Sequence, residues 1–161
     1  MSANPTAASP TIGAEAQSAA PITLTLRREF PARRETVFAA FSEPERVREW
    51  FGPEGFTVPE VQIDLRVGGT YRITMRSPDG NDHTVTGVYK EISPPERLVF
   101  TWAWATGEMD DVETLVTLIF RDKGETTELI LAHEGFPTED LRDRHNQGWS
   151  SSFVCLEKLF A

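Results

Sequence analysis

Near Pro137 the hydrophobic rhythm of this chain changes. Between Ile22 and His133 apolar side chains recur at every second position, whereas Leu141, His145, Trp149, Phe153, Leu156 and Phe160 recur at intervals of three or four. A period of two puts alternate residues on opposite faces of a strand, and a period near 3.6 puts them on one stripe of a helix. The chain must therefore build a sheet first and close it with one helix. From Thr138 to Phe160 that helix would be roughly 35 Å long at about 1.5 Å per residue, enough to lie across a whole sheet. Thr138 is placed to cap it, and Glu139 and Asp140 fall in the first turn, where the helix dipole favours anions.

The strands can be read one by one. Ile22, Leu24 and Leu26 form the first inward face; Tyr71, Ile73 and Met75 the next; SPDGND then turns the chain back to Val85, Gly87 and Tyr89. SPPER leads into LVFTWAW, where Leu98, Phe100, Trp102 and Trp104 make one very aromatic face. Val116, Leu118 and Phe120 follow, then RDKGET and Leu129, Leu131 and His133. This predicts six antiparallel strands in meander order, or seven if Val58 to Ile63 forms a short one. Between the first and second strands, ARRETVFAAF and SEPERVREWF predict two short helices. Ser42 with Glu45 has the spacing of a capping box, with Pro44 in the first turn. Asp64 and Arg66 before Gly68-Gly69 read as a turn-stabilising pair. Gly148 in mid-helix implies that Trp149 sits where helix and another backbone come close. The architecture expected is α+β, a curved antiparallel sheet around a long C-terminal helix.

Composition limits what such a fold can do. Residues 1–20 are almost entirely small and polar types with no apolar face, so they are expected to be a disordered tail, and 21–161 one domain. They lack the basic start and apolar block of a secretory signal, and no later run is apolar and long enough to span a bilayer. A cytoplasmic protein that avoids membranes is expected. A net charge of −9 repels phosphate backbones, and the cluster Arg27, Arg28, Arg33 and Arg34 has no interleaved aromatics, so no nucleic acid is expected as a partner. Cys155 is the only cysteine, which excludes an internal disulfide and a multi-cysteine zinc site. Three histidines without HExxH spacing predict no metal, and no cofactor is expected.

The order of FPARRETVFAAFSEPERVREWFGPEGF, DLRVGGTYR, GVYKEISPPERLVFTWAW, TLVTLIF, LAHEGF and HNQGW resembles the START-like SRPBCC superfamily. Within it, the chain is similar to the bacterial family named after the activator of heat-shock protein 90 ATPase, from about Ile22 to Phe160. The resemblance implies a helix-grip fold over 21–161 and a hydrophobic cavity between sheet and C-terminal helix. Members of the superfamily use that cavity for lipid or hormone binding or for polyketide cyclisation. The name-giving co-chaperones carry an additional N-terminal domain that binds the chaperone.

Three functions follow as expectations. The first is binding of a small apolar or aromatic molecule, with Trp50, Tyr71, Met75, Tyr89, Trp102, Trp104, His133, His145, Trp149 and Phe153 as the lining. Aromatic walls with a few polar groups are what such a site requires, and Trp50-Phe51 before the GPEGF turn suit a lid. The second is a cyclase- or hydratase-like enzyme in the same cavity, with His133 or His145 as base, since a buried histidine titrates below about 6.5. Glu134 alternates to the opposite face from His133, which weakens a dyad built from these neighbours. The third is an interaction module that contacts a chaperone. The assembly expected is a monomer or homodimer.

Overall fold

The computed structural model of the chain describes residues 22–107 and 109–161; the expected tail lies outside them. The elements are β1 (Ile22–Phe30), α1 (Arg34–Ser42), α2 (Pro44–Trp50), β2 (Thr57–Ile63), β3 (Thr70–Arg76), β4 (Asp82–Ser93), β5 (Arg97–Trp104), β6 (Glu113–Asp122), β7 (Thr127–Phe136) and α3 (Glu139–Phe160). The seven strands form one antiparallel sheet in the order β1-β7-β6-β5-β4-β3-β2. Consecutive strands pair from β2 through β7, and β1 adds to the row against β7, so the two edge strands, β1 and β2, are neighbours in sequence but lie at opposite ends of the sheet. The sheet curves around α3, which makes this a helix-grip fold. Register shifts in β2, β4 and β7 mark bulges, which bend a strand and increase its twist.

The alternating faces are where the period of two places them. Tyr71, Ile73 and Met75, then Val85 and Tyr89, then Leu98, Phe100 and Trp102, then Val116, Leu118 and Phe120 are all buried. At Gly87 an added Cβ would lie 2.0 Å from the Thr101 carbonyl oxygen and 2.4 Å from the Tyr71 ring. Only glycine lets the Tyr71 ring cross β4 there, with its hydroxyl donating to that same Thr101 carbonyl at 2.6 Å. Thr138 caps α3 by accepting from the Leu141 amide at 3.1 Å. The stripe of α3 buries Trp149, Phe153 and Leu156, and Phe153 meets Phe30 of β1 edge-on at 5.7 Å. Arg28 to Glu157 and Lys158 to Glu54 tie the end of α3 to β1 and to the loop after α2.

Three local expectations are corrected. Ser42 is the last residue of α1 and its hydroxyl donates to the Phe38 carbonyl at 3.0 Å, so it caps nothing. Pro44, with its fixed φ and missing N–H, sets the start of α2 instead, behind Glu43 and without a side-chain cap. The last strand does not end at His133 but runs on to Phe136, because Gly135 at φ 100° forms a bulge that Ile22 and Thr23 pair around. Gly148 faces open space, with nothing within 4 Å of a Cβ built there, so no backbone crosses beside Trp149 at that point. The Asp64–Arg66 pair is present at 2.9 Å. Among the described residues no helix is long and apolar enough to cross a membrane.

Candidate functional site

The side of α3 that carries Gly148 looks onto a cavity of about 590 Å³ between helix and sheet. β3 contributes Met75 and β5 contributes Trp102 and Trp104; α3 contributes Leu141, His145, Gly148, Trp149 and Ser152. A third wall is the turn after α2, with Phe51, Gly52, Pro53 and Phe56, and Met109 closes in from the β5–β6 connection. The floor is buried, with Trp102 at 5%, Met75 at 4% and Trp149 at 4% exposure, while His83, Thr106, Gly107 and Arg144 form an exposed rim. The lining is therefore aromatic and apolar inside and polar at the mouth.

Two tryptophan–histidine pairs lie at its inner side. The Trp149 indole donates to Nδ1 of His133 at 3.1 Å, and Nε2 of His133 is 2.7 Å from the Thr114 hydroxyl. An indole N–H only donates, so the neutral His133 ring carries its proton on Nε2 and gives it to Thr114, which in turn donates to the Trp102 carbonyl at 3.1 Å. In the second pair the Trp104 indole donates to Nε2 of His145 at 2.9 Å, which leaves Nδ1–H of His145 to donate to the Leu141 carbonyl at 2.8 Å. Both rings are thus neutral, and both lone pairs are occupied. Burial pushes His133 well below its ordinary 6.5, and the neighbouring His145 pushes it the same way. His145 is also lowered, by burial first and by Arg144 next, against the opposing bond to the Leu141 carbonyl. Each ring would have to give up an indole hydrogen bond before it could take a proton from a substrate. The Trp102 indole N–H is buried with no hydrogen-bond partner.

Of the expected lining, Met75, Trp102, Trp104, His145 and Trp149 reach the cavity. Trp50, Tyr71, Tyr89, His133 and Phe153 do not. Trp50 is no lid: it is 3% exposed, its indole donates to the Ala40 carbonyl at 2.8 Å, and its ring packs on Phe41. Tyr71 and Tyr89 meet Phe100 edge-on in the core, His133 stands behind Trp102 and Trp149, and Phe153 belongs to the contact with β1. Phe51, expected with Trp50 as a lid, stands in the cavity wall, and Phe56, Met109 and Gly148 join the lining without having been expected there. Gly148 was conspicuous in sequence as a glycine on an apolar helix stripe, but Met109 lies in a connection with no periodicity to place it. Among the described residues no group of His, Cys, Asp or Glu side chains is arranged to hold a metal ion.

The family model described as "Activator of Hsp90 ATPase homolog 1-like protein" matches residues 31–161. The chain belongs to this family. Solved AHSA1-like structures repeat its architecture: a protein from Silicibacter pomeroyi, itself named AHSA1, is 32% identical with a TM-score of 0.75 over 85% of this chain and 96% of its own. A protein from Chromobacterium violaceum is 30% identical with a TM-score of 0.77, covering 87% and 98%. The resemblance to the START-like SRPBCC superfamily and the helix-grip fold it implies are borne out. The human "Activator of 90 kDa heat shock protein ATPase homolog 1" is 27% identical over 129 residues, 78% of this chain and 33% of the human protein, and the mouse protein of the same name matches equally. The chain spans about a third of the length of these curated AHSA1 relatives.

Proposed function

We propose that this AHSA1-like chain binds a small, largely apolar or aromatic molecule between its sheet and α3 and performs no covalent chemistry on it. The cavity carries the reading: about 590 Å³ falls within the range of ~300–1,000 Å³ of small-molecule sites, and its walls are largely aromatic, with most polar groups at the rim and His145 and Ser152 further in. Gly148 supports it, because a larger side chain at that position would project into the space. The paired histidines weigh against the cyclase- or hydratase-like alternative, since a general base needs a free lone pair within reach of the substrate proton. Native mass spectrometry of the protein purified from its own host, compared with its denatured mass, tests the proposal. A non-covalent adduct whose release changes the tryptophan fluorescence supports it; a bare mass, with no fluorescence response to a panel of lipids and aromatics, removes it.

A second reading, contact with a heat-shock-90-type chaperone, is favoured by the relationship to the human activator. Its test is stimulation of a purified chaperone's ATPase by this chain, and no stimulation together with no co-elution would exclude it. We infer a cytoplasmic setting from the unpaired, half-buried Cys155, which suits a reducing compartment; recovery of the protein in a periplasmic or secreted fraction would contradict that.

A further inference from the structure

We propose that Phe51 divides one elongated slot into two and sets the length of apolar chain that the slot admits; the inference rests on the ligand-binding reading above. Behind the main cavity lies a second void of about 20 Å³, lined by core residues that include Tyr71, Tyr89 and Ile73. Among the described residues only Phe51, Trp102 and Trp149 face both spaces. Their rings stand 6.2 Å (Phe51–Trp102), 6.2 Å (Phe51–Trp149) and 5.1 Å (Trp102–Trp149) apart, so together they form an aromatic partition.

The three members are not equally free to move. Trp149 is held by its bond to His133, and turning it away would strand the buried Nδ1 of that histidine. Trp102 stands in the middle of the sheet, on a strand paired to β4 on one side and β6 on the other. Phe51 lies past the end of α2 in extended backbone, is followed by Gly52 at φ 101°, and carries a hydrocarbon ring with no hydrogen bond to lose. Rotation of Phe51 alone would join the two spaces and lead from the aromatic cavity toward Tyr71 and Tyr89. The ligand class that uses such a path is a single, narrow apolar chain longer than the outer cavity, its end passing Trp102 and Trp149 through the space that the Phe51 ring vacates. A compact ligand of equal volume would stay outside the partition.

Straight-chain primary alcohols from hexanol to hexadecanol, titrated into the full-length protein by calorimetry and tryptophan fluorescence, measure the slot as a ruler does. Each added methylene that finds apolar contact tightens binding about fourfold, and the gain stops where the chain runs out of room. We expect Phe51→Ala to move that limit to longer alcohols and Phe51→Trp to shorter ones, the limit being read from each variant's own series because Phe51 also walls the outer cavity. Phe51→Leu, which keeps most of the apolar volume, is expected in between and carries the comparison should the alanine variant not fold. The same limit in every folded variant overturns the role of Phe51 and leaves the ligand reading standing. No binding of any alcohol to the wild-type protein removes both.

Discussion

Replacing Gly148 separates stability from cavity volume at a single position. A Cβ built there meets nothing within 4 Å and the backbone is ordinary helix, so Gly148→Ala adds helix propensity with no clash to offset it. Glycine in a helix interior is about 0.8–1.0 kcal/mol less favourable than alanine. The variant should therefore be about 1 kcal/mol more stable, which for a chain of this size raises Tm by roughly 2–4 °C. Gly148→Leu keeps that gain but sends a branched side chain into the 590 Å³ space. If it takes about 60 Å² of apolar contact from a ligand, at about 25 cal/mol per Å² the loss is about 1.5 kcal/mol, or tenfold in affinity. The assay is thermal unfolding followed by circular dichroism, paired with titration of naphthalene against tryptophan fluorescence. We expect Gly148→Ala to be stabilised with unchanged binding, and Gly148→Leu to be folded with binding weakened about tenfold or more. A fall in Tm for Gly148→Ala would refute the open space beside the helix, and unchanged naphthalene affinity in Gly148→Leu would place the ligand elsewhere.

Gly87→Ala is the opposite case: a Cβ 2.0 Å from a backbone oxygen must displace β5 or the Tyr71 ring, so a destabilisation of about 3 kcal/mol or more is expected in urea unfolding, and a loss below about 1 kcal/mol would contradict the crossing of ring and strand. His133→Ala leaves the buried Trp149 N–H without an acceptor and opens a hole beside it, for about 3–5 kcal/mol together; a nearly neutral variant would show that the chain from Trp149 to Thr114 carries no stability. The pH dependence follows from both histidines being depressed in the fold. The unfolded chain binds protons below about 6.5 while the folded one does not, so their contribution is fully present above that pH and is lost as pH falls toward the lower folded values. Tm should fall between pH 7 and 5, before ordinary carboxylates near pH 4 titrate, and less steeply in His145→Gln; a flat or rising Tm over that interval would reverse the sign argument. Thr138→Ala should cost about 1 kcal/mol through loss of the cap on Leu141, and no change in Tm would mean that this end of α3 is held by its packing alone.

The strands and the long helix were legible because periodicity reports which side of an element is buried, and one side of each is buried here. The same signal is silent about depth along that side. Tyr71 and Trp102 both point inward, but Tyr71 sits on the closed end, where Gly87 lets it bond the Thr101 carbonyl, while Trp102 floors the cavity. Inward-facing aromatic residues therefore gave a list half of which is core. The Ser42–Glu45 spacing met the capping pattern, yet Pro44 decided the helix start through its own geometry, and the alternation that fades after His133 hides a strand that a bulge at Gly135 carries on to Phe136. Phe51, Phe56 and Met109 lie in connections, where no period exists to place a side chain. Gly148 was the most instructive misreading: a helical glycine signals either a neighbour too close for a Cβ or a space kept free, and only the fold distinguishes the two.

The two tryptophan–histidine pairs cross between the layers in opposite directions. The helix offers Trp149 to the sheet's His133, and the sheet offers Trp104 to the helix's His145. A roll of α3 about its axis, or a slide along it, would lengthen at least one of these bonds, while the ties to Glu54 and Arg28 pin its far end. The helix is therefore a fixed rail. Changes in the shape of the cavity fall to single side chains in place of a swinging element. Ligand choice in such a molecule is exercised one ring at a time.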